Sequence, residues 1–195
     1  IGIFMVLPLL IANACKQVIH SDTIMAILEG VIRIAIFIAY IKLISRMEDI
    51  RRTFMYHGAE HKCINCIEHG LELNVANVRA SSKEHKRCGT SFIMIVMVIS
   101  ILFFVVIRTD TIWLRIVSRI VLIPVIAGVS FEFIRLAGKS ENKLVILLSK
   151  PGMMLQKLTT REPDASMAEV AIASVEAVFD WRAYLKENFG WQEKV

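Results

Sequence analysis

From Gly89 to Ile107 the chain reads GTSFIMIVMVISILFFVVI, nineteen residues without a charge. A helix needs roughly 20 mostly apolar residues to cross the hydrocarbon core of a bilayer. This run therefore predicts a membrane span, and the rest of the chain must be read around it. Composition agrees: 55% of the 195 residues are hydrophobic, with only 9 Gly and 4 Pro, which excludes disordered, collagenous and low-complexity chains. A soluble protein with a large core could reach that average. Here the apolar residues come in long blocks rather than in amphipathic stripes.

Three further blocks follow the same rule. Residues 1–15, IGIFMVLPLLIANAC, are uncharged and are followed by Lys16. Thr23 to Ile41 carries only Glu29 and Arg33, and Ile112 to Leu136 holds Arg115, Arg119, Pro124 and Glu132. The expectation is an all-α fold, a polytopic bundle of about four transmembrane helices. Residues 1–44 would hold the first two spans and 91–136 the other two. Residues 45–90 would form a polar connector, and 137–195 an interfacial and helical tail. Ile1 opens inside an apolar run without an initiator Met or a basic leader, so the chain is expected to begin within its first span.

Lys and Arg placement sets orientation. The connector carries Arg46, Arg51, Arg52, Lys62, Arg79, Lys83, Lys86 and Arg87, and the tail carries nine more basic residues. The two short connections share one, Arg108. Connector and tail are thus expected on the cytoplasmic side of a bacterial inner membrane. The net charge of +5 then reads as a topology signal that suits an anionic leaflet. Acids interleave with the bases throughout, which argues against nucleic acid as a partner. The bilayer, other membrane proteins or a second copy are the expected partners.

Within the spans, Glu29 and Arg33 stand four apart in the favourable acid-before-base order. They read as a self-neutralising pair, or as a functional site of a transporter or channel. In the tail, an interfacial stretch over 143–158 should break at Pro151–Gly152. A helix should follow from Ser166, where Ser166 and Glu169 have capping-box spacing.

Four of the five His and three of the four Cys fall between residues 57 and 88. Two metal readings compete for them. His57-x-x-Glu60-His61 has the H-x-x-E-H pattern of inverted zincins. Two histidines would share a Zn²⁺, Glu60 would act as general base, and a third ligand would come from His85, Cys88 or Glu132. If His57, His61, His85 and Cys88 all bind, the site is closed and a structural role gains weight. The second reading takes Cys63-x-x-Cys66 with His85-x-x-Cys88 as a closed structural set resembling a zinc knuckle.

Helix geometry separates the two. With His57 at the origin and about 100° per residue, His61 falls at about 40° and Glu60 at about −60°. Cys66 and Cys63 fall at about 180° and about 240°, on the opposite side. A helix over 57–69, ending at Gly70, cannot offer both sets to one ion. The cysteine set also needs a turn that KCINCIEHG does not supply. The geometry favours the histidines.

YHGAEHK at 56–62, HKRCGTSF at 85–92, SFEFIRLAGK at 130–139 and KPGMMLQKLTTREPD at 150–164 resemble the YqhQ-like family. This is a domain-of-unknown-function group of bacterial multi-pass membrane proteins described as predicted metal-dependent enzymes. The resemblance covers nearly everything from the second span onward. It implies roles for His57, Glu60, His61, His85 and Cys88, and requires no cysteine at 63 or 66. It also implies an N-terminal segment not found in this sequence. The expected activity is Zn²⁺-dependent hydrolysis of a membrane-associated peptide or lipid-linked substrate, with Lys62 or Arg87 as candidate anion stabilisers. A scaffold pinned by structural zinc is the alternative.

Overall fold

The computed structural model describes residues 2–15, 19–107 and 111–192. Among these, all regular structure is helical: α1 (Gly2–Ala14), α2 (Asp22–Ile44), α3 (Glu48–Glu68), α4 (Val75–Ala80), α5 (Gly89–Val106), α6 (Ile112–Lys139), α7 (Lys143–Thr159), α8 (Ala165–Glu176) and α9 (Trp181–Phe189). Three stretches are long and apolar enough to cross a bilayer: α2, α5 and Ile116–Lys139 of α6. The expected count of about four is corrected to three among the described residues. The reason is length: the thirteen residues of α1 cover about 20 Å at 1.5 Å each, against a core of about 30 Å.

The chain divides into two compact units, Ile1–Lys42 with Lys86–Leu155, and Leu43–His85 with Gln156–Val195. In the first, α5 packs along α6. Large apolar side chains such as Leu102, Trp113, Val121 and Ile123 are exposed, as lipid-facing residues are. Glu29 on α2 is buried and receives Arg33 at 2.8 Å and Arg119 of α6 at 2.8 Å. Both guanidinium groups also stand over the Phe104 ring of α5, at 5.9 and 5.1 Å. The two-residue pair expected from the sequence is thus a cluster drawn from three helices. Pro124 and Pro151 both lie inside continuous helices, so α7 does not break where the sequence suggested.

The second unit has a compact core of its own. Cys63, Cys66, Ile67, Leu73, Val78, Ala168, Trp181 and Leu185 are buried together, drawing α3, α4, α8 and α9 around one cluster. Fully burying a side chain such as Leu185 contributes roughly 1.5–3 kcal/mol. The helix expected over 57–69 extends back to Glu48 and ends where the sequence indicated. Gly70 takes φ +73°, and a Cβ there would stand 2.8 Å from the Phe189 ring. Glycine alone satisfies both conditions. The cap of α8 is Asp164, which accepts from the Met167 N–H at 2.8 Å, and not Ser166, whose hydroxyl donates to Asp164. An aspartate before the first turn is among the strongest caps.

Candidate metal centre

α3 places His57 and His61 one turn apart, with ring centroids at 4.4 Å and planes crossing at 66°. His85, beyond α4, brings a third imidazole to 5.9 Å from that of His61. His61 and His85 are buried and His57 is partly so. An ion about 2 Å from a ring nitrogen stands roughly 3 Å from that ring's centroid, so two tetrahedral histidine ligands have centroids about 5 Å apart. The two observed separations lie either side of that value.

One nitrogen of each ring is already committed to an oxygen. His57 Nδ1 meets the Thr159 carbonyl at 2.9 Å and His61 Nδ1 meets the Lys83 carbonyl at 2.8 Å. A carbonyl only accepts, so both Nδ1 atoms carry the proton, and each neutral ring has its lone pair on Nε2. His85 is turned the other way: its Nε2 lies 3.0 Å from the Glu68 carboxylate, leaving Nδ1 as the lone-pair nitrogen of the neutral ring. A histidine that binds metal nearly always gives its other N–H to a carbonyl or carboxylate, which fixes the tautomer and raises basicity. All three rings meet that condition.

Gly58 explains how the Thr159 carbonyl comes so near. A Cβ at that position would lie 2.0 Å from the Arg161 carbonyl oxygen. The absent side chain lets the 159–161 backbone cross directly over α3, where the Arg161 N–H also donates to the Phe54 carbonyl at 2.9 Å. On the other side, α3 side chains grip the stretch that leads to His85. Lys62 donates to the carbonyls of Arg79 and Ser81 at 2.9 and 2.8 Å, and pairs with Glu162 at 3.0 Å. Asn65 donates to the Ser82 and Glu84 carbonyls at 2.8 and 3.0 Å. Gln156, fully buried, clamps the His85 backbone: its Oε1 accepts from the N–H at 2.9 Å and its Nε2 donates to the C=O at 2.7 Å.

The remaining expected residues have different surroundings. Glu60 is exposed on α3. Cys63 and Cys66 are fully buried in the hydrophobic core of their unit, on an unbroken helix. Burial pushes the Cys63 thiol up to about 12 and raises that of Cys66 as well, which opposes the thiolate form that metals require. Cys66 Sγ instead points its hydrogen at the Glu72 carbonyl, 3.4 Å away. Cys88 belongs to the first unit and caps α5, its Sγ accepting from the Thr90 N–H at 3.4 Å. Glu132, in that same unit, forms an exposed pair with Arg135 at 2.7 Å. Arg87 lies against Gly138 of α6. Lys62 has its ammonium group engaged by two carbonyls and a carboxylate, so its role is to hold the connector. Glu68, Lys83, Gln156 and Thr159 were not anticipated. For Glu68 a signal existed: at about 100° per residue it falls at about 20°, between the two histidines of α3.

The family described as "Protein of unknown function (DUF1385)" matches residues 1–181. The chain is 36% identical to the uncharacterized protein YqhQ of Bacillus subtilis (strain 168) over 187 residues, covering 95% of this chain. It spans 59% of the length of that relative. No solved structure matches.

Proposed function

The chain belongs to the DUF1385 family, and from that premise we propose a membrane protein that holds one transition-metal ion, zinc first, through His57, His61 and His85 and uses it for hydrolysis. One observation carries the reading. Three neighbouring imidazoles each have one nitrogen tied to an oxygen acceptor, the arrangement that fixes metal-binding histidines. Three nitrogen ligands leave a coordination position for catalysis. An ion so held supplies Lewis acidity and lowers the pKa of water towards neutrality. Glu60, exposed one residue before His61, would take the proton from the attacking water, and Glu68 would hold His85 in place. The proposed substrate is a membrane-associated peptide or lipid-linked molecule, met at the cytoplasmic face of a bacterial inner membrane. Segments 43–85 and 156–195 pack into one unit, which supports a topology with connector and tail on one side of the bilayer.

The second reading is a structural ion in a non-catalytic scaffold. The burial of His61 and His85 favours it, as does the presence of Cys88 three residues beyond His85 in the chain. Metal analysis of the purified chain tests the shared premise. We expect about one zinc per chain, with most of it lost in His57→Ala and His61→Ala; a metal-free protein, or variants that keep their zinc, would refute both readings. Glu60→Gln then divides them. Hydrolysis should fall at least a hundredfold with zinc and fold retained if the site is catalytic, whereas a scaffold would be unaffected.

A further inference from the structure

The second unit contains a cavity of about 420 Å³ lined by Arg51, Lys83, Lys157 and Arg161. Its acidic lining residue, Glu162, is already engaged by Lys62 at 3.0 Å and by Lys83 at 3.5 Å. Four cations around one neutralised carboxylate leave the cavity strongly positive. Arg161 sharpens the point. It is anchored from one side by a bond to the Ser45 carbonyl at 3.2 Å, yet its Nε is buried without an acceptor. A buried guanidinium nitrogen left unbonded is costly, and an anionic oxygen is the partner that relieves it best. Ser45, which also lines the cavity, is the residue that follows the span Asp22–Ile44. That position lies at the depth of lipid headgroups.

We propose that this cavity binds a phosphate group, carried by an anionic phospholipid or by a small soluble phosphate ester. Phosphate fits better than a carboxylate for three reasons. The cavity is larger than one carboxylate fills, several cations converge, and a planar guanidinium matches phosphate oxygens in a bidentate fork. Anionic lipid headgroups are commonly held in basic pockets of this kind beside membrane helices. The proposal stands without the metal reading, because none of the three histidines lines the cavity.

The test uses the full chain, with a chelator present throughout so that metal plays no part. One arm measures binding of glycerol 3-phosphate and inorganic phosphate in detergent by calorimetry. The other measures lipid capture in nanodiscs of phosphatidylcholine with and without phosphatidylglycerol. Saturable binding in the first arm assigns a soluble phosphate, and enrichment of phosphatidylglycerol in the second assigns a lipid headgroup. Either should weaken about tenfold in Lys157→Gln and in Arg51→Gln, both of which replace exposed side chains and spare the core. Arg161→Gln should weaken it further, and if that variant does not fold the other two carry the result. Lys186→Gln, on α9 outside the cavity, should bind like the parent. Absence of binding in both arms would overturn the proposal. So would an equal loss in Lys186→Gln, which would mean a diffuse charge effect.

Discussion

Each unit of this chain contains a polar cluster, and the two are completed in opposite ways. Around Glu29 the partners are side chains of opposite charge: one carboxylate takes Arg33 and Arg119, and a phenyl ring covers both guanidinium groups. Around His61 the partners are mainly backbone carbonyls, which fix the rings without neutralising anything. A cluster of the first type is satisfied by its own members, and removing one leaves the others stranded in an apolar medium. A cluster of the second type is oriented by its surroundings, and its chemistry lies in the nitrogens that those carbonyls do not use. Charge among side chains argues for structure, and orientation by main chain argues for ligand binding.

The comparison can be broken most forcefully at Glu29. In Glu29→Ala two buried arginines lose their shared carboxylate, and unfolding in detergent should be easier by about 3–5 kcal/mol. Metal content per folded chain should not change. A fall in metal would mean that the clusters are coupled and the contrast is wrong. Next comes Glu68→Gln, which removes the charge behind His85 but keeps its shape. Competition with a chelator should show zinc affinity reduced roughly 10–100-fold, with thermal stability of the metal-free protein nearly unchanged. Equal losses of both would make Glu68 a packing residue.

Gly58→Ala tests the carbonyls. Its Cβ meets the Arg161 oxygen head-on, so the crossing segment must lift and carry the Thr159 carbonyl away from His57. The expected cost is about 1–3 kcal/mol in thermal unfolding, together with weaker zinc binding. Normal zinc affinity in a destabilised protein would show that the Thr159 bond does not matter. The smallest effect concerns Cys63. Its folded thiol is raised to about 12 from an ordinary 9.0, so the folded state holds the proton more tightly than the unfolded chain. The stability this contributes is complete below about pH 9 and declines as pH rises from there towards 12. Cys63 should therefore resist iodoacetamide at pH 8 in the folded protein. Rapid alkylation under native conditions would reopen the cysteine reading of the site.

What could be read from the sequence depended on the range of each interaction. The spans were legible because a bilayer imposes a length on any uncharged run, and α1 departed from the expected count because its helix is too short for that length. The histidine pair and the end of α3 were legible because a period near 3.6 and a single glycine settle them locally. Arg119 was visible as a charge in a span, but its place on Glu29 depends on how α6 lies against α2, ninety positions away in the sequence. Glu68 was within reach of the same angular arithmetic that separated His57 and His61 from the cysteines. The Thr159 and Lys83 carbonyls were not, since every residue carries a carbonyl and no side chain announces its use. Asp164 displaced Ser166 as a cap because the two compete for the same turn, and the carboxylate, one residue before the helix, is the one in position to accept.

The grip of α3 on the stretch from Arg79 to Glu84 is made through Lys62, Asn65 and His61, and each contact reaches a main-chain oxygen. The helix therefore reads the path of that stretch and ignores its spelling. Substitutions that spare the backbone should be tolerated there one after another, while single changes at 61, 62 or 65 should not. A saturation-mutagenesis map of the connector would then show a permissive window bounded by intolerant positions, and a proline within 79–84 would be the letter that the helix cannot overlook.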